Sequence, residues 1–341
     1  MRRLNLALLL VGLLTLIGLV WHVGPRRILE AAAGLGPLAL LIILLPSVLM
    51  YALETFGWRL TLGRYVGSVA FWRLCAVRTA GEVVNMTTPT AYIGGEPLKA
   101  YLLQRSGVPL VEGLASVVTA KTTMTIAQIA FIVLGIGLAF RTLGVSSASG
   151  GSSNGTVVAA VIGVGLLLAF TAAFLLVQHR GLFTGLLGLL RRLKIYIAYL
   201  EHREERLRDL DRTIVNFYTA DRRRFLLSIG FCFLGWLAEA LEVYAMLYCL
   251  GGPADPLTAI SIGALSVFIK GGTFFIPGSV GAQEAGNLLL LVAFGYSEVT
   301  GLTFALLRRL RELVWIGIGL VCLAALGGKA GSARMGEVKQ G

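Results

Sequence analysis

Residues 85–101 read NMTTPTAYIGGEPLKAY, and residues 277–284 read PGSVGAQE. Both are polar interruptions in an apolar chain. In the first, Pro89 is followed seven residues later by Glu96, with Gly94 and Gly95 between; in the second, Pro277 is followed seven residues later by Glu284, with Gly278 and Gly281 between. Proline stops a helix and glycine permits a tight turn. Irregular backbone at membrane depth is tolerated only where protein or trapped water satisfies its amides. The two boxes therefore predict broken helices that turn backbone groups and side chains toward a central cavity.

Ionisable residues sit deep in the neighbouring apolar runs. Lys121 lies about 13 Å into its predicted helix and Arg309 about 15 Å into the last one, near mid-bilayer. Arg308, Arg311 and Glu312 accompany Arg309, while Glu239 and Glu242, three apart, share a helix face. Lys270 belongs to the second broken region, and Glu82, Asn85 and Lys99 to the first. A charged side chain at the bilayer centre costs at least about 2.5–3.5 kcal/mol. So many charges must pair inside the bundle or line a polar pathway, and together with two broken helices they favour the pathway. Lys99, Lys121, Lys270 and Arg309 are the bases of such a pathway, and Glu96, Glu284, Glu239 and Glu242 its acids. Three arginines crowd one turn around Arg309 with too few acids evident nearby to pair them all.

The elements that position these residues follow from composition. The chain has 341 residues, 56% hydrophobic and 14% charged, with a mean hydropathy of +0.81. That is too little charge for the skin of a soluble protein, and lipid is the natural solvent. A net charge of +12 then reads as basic cytoplasmic loops facing anionic lipid head groups rather than a nucleic-acid surface. Cys75, Cys232, Cys249 and Cys322 form no CxxC pair, and His22, His179 and His202 are scattered. Neither a disulfide framework nor a metal site is expected, and no nucleotide-binding loop is present.

The fold class is an all-α polytopic membrane protein. Six stretches reach spanning length: 4–23, 35–57, 112–140, 157–177, 225–250 and 300–326. Arg2 and Arg3 before the first resemble a signal peptide, but no small-residue cleavage site follows and it reads as a retained anchor. Regions 66–105 and 257–297 read as re-entrant hairpins, giving eight to ten membrane segments in all. Two spans, a hairpin and a span occur twice, in 1–140 and 157–327, as in an inverted repeat. Loop charge places the Ser/Gly loop 141–156 and GGPADP at 251–256 outside. Residues 178–224 carry eleven Lys/Arg against six Asp/Glu and should be cytoplasmic, as should both termini and the tail 328–341. Within that stretch, 182–200 suits a basic amphipathic helix at the bilayer surface. The run EHREERLRDLDR reads as a solvated helix laced with i,i+4 ion pairs. Its DxD, Asp209 and Asp211, is a metal motif in other settings but reads here as part of that charged helix.

The segments GEVVNMTTPTAYIGGEPLKAYLL, ASVVTAKTT, IPGSVGAQEAGNLLLLVAFG and LLRRL together resemble the flippase-like membrane family of the lysylphosphatidylglycerol synthase transmembrane region. Asn85, Pro89, Gly95, Glu96, Lys99, Lys121, Pro277, Gly278, Gly281, Glu284 and Arg309 match its pattern, with Lys99 and Lys121 standing where the family often carries Arg. The resemblance implies a membrane-embedded protein that moves or binds an amphipathic, phosphate-bearing lipid through the cavity, with no cofactor. Lys99, Lys121, Lys270 and Arg309 would then neutralise the head-group phosphate, and Glu96, Glu284, Glu239 and Glu242 would pair those bases in the empty state or bind a cationic head group. Arg309, in its crowded turn, is expected to touch the head group. Its partners would be that lipid, anionic head groups at the cytoplasmic face, and a separate lipid-modifying enzyme. In aminoacylating relatives a cytosolic catalytic domain follows the membrane part. The tail GKAGSARMGEVKQG is too short for one, so synthase activity is not expected. The expected location is the plasma membrane, of the bacterial inner-membrane kind. Two other readings stand beside transport: a polytopic enzyme acting on lipid-linked substrates, and an accessory protein that binds lipid without moving it.

Overall fold

Pro25–Thr61 (α1), Leu110–Thr142 (α4), Arg222–Cys249 (α6) and Glu298–Glu337 (α9) each contain a stretch long and apolar enough to cross a membrane. The computed structural model describes residues 24–87, 94–142, 204–219, 221–272 and 281–337, with five isolated positions before them. Between the long helices lie Phe71–Thr87 (α2) and Gly95–Gln104 (α3) in the first half, and Pro256–Gly272 (α7) and Ala282–Ala293 (α8) in the second. Glu204–Thr219 (α5) precedes α6. Among the described residues every regular element is helical.

The expected spans 35–57, 112–140, 225–250 and 300–326 thus correspond to α1, α4, α6 and α9. Those at 4–23 and 157–177 fall outside the described residues, but for the isolated positions, as does the amphipathic stretch 182–200. Both expected hairpins are pairs of helices. At 17 residues each, α2 and α7 are about 25 Å long, and α3 and α8, at ten and 12 residues, about 15 and 18 Å. The two shorter arms cannot cross a hydrocarbon core of roughly 30 Å.

Local sequence sets several boundaries. Gly36, at φ 77°, breaks α1 before Pro37, whose missing N–H prevents a smooth continuation. Asp255 starts α7 by accepting bonds from the Thr258 backbone N–H at 2.8 Å and its hydroxyl at 3.0 Å. Ser297 starts α9 by accepting the Thr300 N–H, as capping residues do.

The bundle presents hydrocarbon outward and charge inward. Leu38, Leu41, Leu45, Leu234, Leu241, Leu289 and Val321 are exposed, while Glu54, Arg78, Lys99, Glu239, Glu242 and Arg308 are buried. Helices α1 and α6 share the most extensive contact. The hairpins pack reciprocally: α2 lies against α9 of the other half, and α7 against α4. A glycine permits each approach. A Cβ on Gly135 would sit 2.1 Å from Ala264 Cβ, and one on Gly319 would sit 2.9 Å from the Thr79 carbonyl.

The charged run does form a helix, α5, and its solvation is one-sided: Leu210 and Ile214 pack on Ala115 and its neighbours in α4. Asp211 is buried with them, whereas Asp209 is exposed and pairs with Arg212 at 3.9 Å. A period of 3.6 residues puts the apolar positions of this charged run on one stripe.

Candidate functional site

Helix α2 ends beside the start of α3, and Asn85 ties them together. Its Oδ1 accepts the Gly95 N–H at 2.7 Å, and its Nδ2 donates to Glu96 Oε1 at 3.1 Å. Gly95 has no room for a side chain, since a Cβ would lie 2.0 Å from the Gly81 carbonyl. That contact fixes Glu96 at the first turn of α3, where the exposed N–H groups favour a carboxylate. One turn on, Lys99 Nζ reaches Glu82 at 2.7 Å and Glu96 at 3.1 Å. From α4, Lys121 approaches Glu96 at 3.8 Å. On the far wall Arg78 donates to Glu54 of α1 and lies 4.7 Å from the centroid of the Tyr51 ring. These six ionisable side chains line one narrow cavity, with about 30 Å³ of room for a water-sized molecule, together with Trp58, Val117, Ala120, Met124 and Cys232. Lys121 is its most open member, with 41% of the side chain accessible against 7% for Lys99.

A second charged cluster occupies the other half. Gly281 opens α8 at φ 79°, a conformation that favours glycine, and its N–H donates to Glu284 Oε2 at 2.8 Å. Glu284 Oε1 accepts Arg309 Nε at 2.7 Å. Arg309 also donates to Glu312 at 2.7 Å, and Lys270 and Gln283 reach the same carboxylate at 2.6 and 3.2 Å. Arg308 pairs with Glu239 at 2.5 Å and Arg311 with Glu242 at 2.8 Å. This cluster is interlocked: two neighbouring arginines of α9 each take one carboxylate of α6. Glu239 and Glu242 do share a face, as their spacing predicts.

The expectation that acids near Arg309 are too few is corrected. Glu239 and Glu242 come from α6, Glu284 from α8 and Glu312 from α9 itself, so each arginine has a carboxylate. Sequence separation hid this, because the partners of Arg308 and Arg311 lie 69 positions away.

Of the sixteen residues singled out from sequence, Glu82, Asn85, Gly95, Glu96, Lys99 and Lys121 gather in the first cluster. Glu239, Glu242, Lys270, Gly281, Glu284, Arg308 and Arg309 belong to the second. Pro89, Pro277 and Gly278 lie outside the described residues. Sequence reasoning missed Glu54 and Arg78, which complete the first cavity, and Gln283 in the second cluster. A signal for Glu54 existed. Positions 96 and 284 differ by 188, as do 89 and 277, 121 and 309, and 82 and 270. The same step carries Glu242 back to Glu54. It also relates the end of α1 at Thr61 to that of α6 at Cys249, and the start of α4 at Leu110 to that of α9 at Glu298. Among the described residues, no group of three or more His, Cys, Asp or Glu side chains is placed to hold a metal ion.

A profile of the family described as lysylphosphatidylglycerol synthase TM region matches residues 4–319. A UPF0104 membrane protein of Methanothermobacter thermautotrophicus is 24% identical over 313 residues, covering 88% of each chain. Another from the same organism is 28% identical over 280 residues, covering 76% of this chain and 75% of the relative. One from Pyrococcus horikoshii is 21% identical over 329 residues, covering 91% and 92%. No solved structure matches.

Proposed function

Because the chain belongs to the lysylphosphatidylglycerol synthase transmembrane region family, we propose that this membrane protein moves an amphipathic, phosphate-bearing lipid between leaflets. The observation that carries the reading is the cavity at Glu54, Arg78, Glu82, Glu96, Lys99 and Lys121. It puts six ionisable groups inside a bundle whose outer face is apolar. A lipid's tails remain in hydrocarbon during translocation, and only its head group needs a polar route. Lys99 and Lys121 would meet the phosphate, and the carboxylates hold those cations when the cavity is empty. In the empty cavity no buried cation is thereby left without a carboxylate, the arrangement that keeps such charges tolerable.

The two halves act as an inverted repeat in this reading. The 188-residue step from Glu54 through Arg309 and the reciprocal docking of α2 on α9 and α7 on α4 support it. Such repeats rock against each other to expose a central site to alternate sides. The first cluster, with its open mouth, and the second, interlocked, would exchange those conditions during a cycle. Loop charge gives the orientation: 251–256 outside, 178–224 and both termini in the cytoplasm. Pro89, Pro277 and Gly278 would complete the two broken helices at the cavity.

The reading is of a translocator rather than an enzyme. Asp209, Asp211, Asp221 and Asp255 lie in α5, at the start of α6 and before α7, away from the cavity. Purified protein in liposomes carrying a panel of acyl-chain-labelled lipids tests the proposal. Transfer of label between leaflets, absent from empty liposomes, is the expected result. Conversion of a lipid would favour an enzyme, and saturable binding without transfer would favour an accessory lipid-binding protein.

A further inference from the structure

The cavity between α1, α2, α3, α4 and α6 is lined by equal numbers of acidic and basic side chains. Its lining holds three carboxylates, Glu54, Glu82 and Glu96, and three cations, Arg78, Lys99 and Lys121. Each carboxylate touches at least one of those cations. In a low-dielectric interior such a site has no surplus charge with which to hold a net anion. A phosphate arriving alone would take Lys121 from Glu96 and leave one uncompensated negative charge. A head group that brings its own cation exchanges partners one for one and leaves the sum at zero.

The geometry says where that exchange occurs. Lys121 is the most accessible of the six, and its 3.8 Å approach to Glu96 is the longest of the cavity's ion contacts. Glu96 is held in place by Asn85 and Lys99, so it stays when Lys121 swings away. Its carboxylate, steadied by the Asn85 Nδ2 that donates to it, supplies the acceptors at this point, and a primary ammonium offers three donors. Building on the reading of this cavity as the head-group site, we infer that it selects a zwitterionic head group, phosphate on Lys121 and primary ammonium on Glu96, over a net anionic one.

The test compares two acyl-chain-labelled lipids in liposomes containing the whole protein, one with a phosphoethanolamine head and one with a phosphoglycerol head. Loss of label to an impermeant reductant reports arrival in the outer leaflet. The phosphoethanolamine lipid should move at least about tenfold faster, since uncompensated charge is strongly disfavoured at a desolvated site. Glu96→Gln leaves the cavity one positive charge in excess and should shift the preference toward the phosphoglycerol lipid. Glu82→Gln should do the same with the Asn85–Glu96 contact intact. A reversed preference is a readout that simple misfolding does not produce, and if neither variant folds the wild-type comparison still decides. Equal rates, or faster phosphoglycerol transfer, in the wild type would overturn the inference while leaving lipid transport standing. No transfer of either lipid would remove both.

Discussion

Arg308 and Glu239 show what a single buried pair contributes. Both side chains are almost wholly inaccessible, at 2% and 6%. Replacing one partner strands the other, at a cost of about 3–5 kcal/mol. Arg308→Met should therefore lower the thermal midpoint in detergent sharply, and Arg308→Met with Glu239→Leu should recover most of it. If the double variant is as unstable as the single, the pair is not the source of the loss. Gly95 makes a different residue-scale case. Gly95→Ala places a Cβ against the Gly81 backbone, an overpacking that costs about 1–3 kcal/mol; its unfolding midpoint should fall. The residues in these arguments differ in how legible they were. Glu96 and Glu284 stand out because a proline seven positions earlier and the glycines between frame them. Glu54 and Arg78 carry no such frame. A lone charge in an apolar helix does not say which distant helix supplies its partner.

Elements are read with more success than contacts. Apolar length alone locates α1, α4, α6 and α9, since a run near 20 residues has few other uses. The hairpins are legible as breaks, but proline and glycine do not tell how long each arm continues, and α3 and α8 prove too short to cross. Helix α5 is legible as a helix, but its charge density masks the stripe of Leu210, Ile214 and Phe217 that packing makes plain. The orientation of these elements is testable in a cysteine-free background lacking Cys75, Cys232, Cys249 and Cys322. Ala254→Cys, before α7, should react with an impermeant thiol reagent in intact cells. Arg222→Cys, at the exposed start of α6, should react only after permeabilisation. Labelling of the second from outside would reverse the orientation.

At the scale of the molecule, the halves are stitched by exchange of their hairpins, and glycines set the spacing. Gly319→Ala should push α9 away from α2, since its Cβ would lie 2.6 Å from a Val83 methyl and 2.9 Å from the Thr79 carbonyl. A destabilisation of about 1–3 kcal/mol is expected. Gly317→Ala on the same helix has open space around it and should leave stability unchanged or raise it by up to about 1 kcal/mol, since alanine is the better helix former. A matching loss at Gly317 would show that docking of α2 on α9 is not what is being measured. The exchange is not legible in sequence, because the glycines look like any others in an apolar run and only the partner helix makes them matter. The ion pairs obey the opposite rule. Glu54 with Arg78, and Glu82, Glu96, Lys99 and Lys121 among themselves, all fall within residues 54–121; the pairs of the second cluster fall within 239–312. These charges close within a half, while the most extensive helix contact, α1 with α6, joins the halves. A ribosome delivering this chain into a bilayer releases residues 54–121 long before residue 239 exists. The six charges of that cavity can pair with one another at once, before any helix of the second half arrives. Synthesis is thereby spared its most hazardous interval, a half-made protein holding bare charges in oil, and what remains for the late helices is to dock.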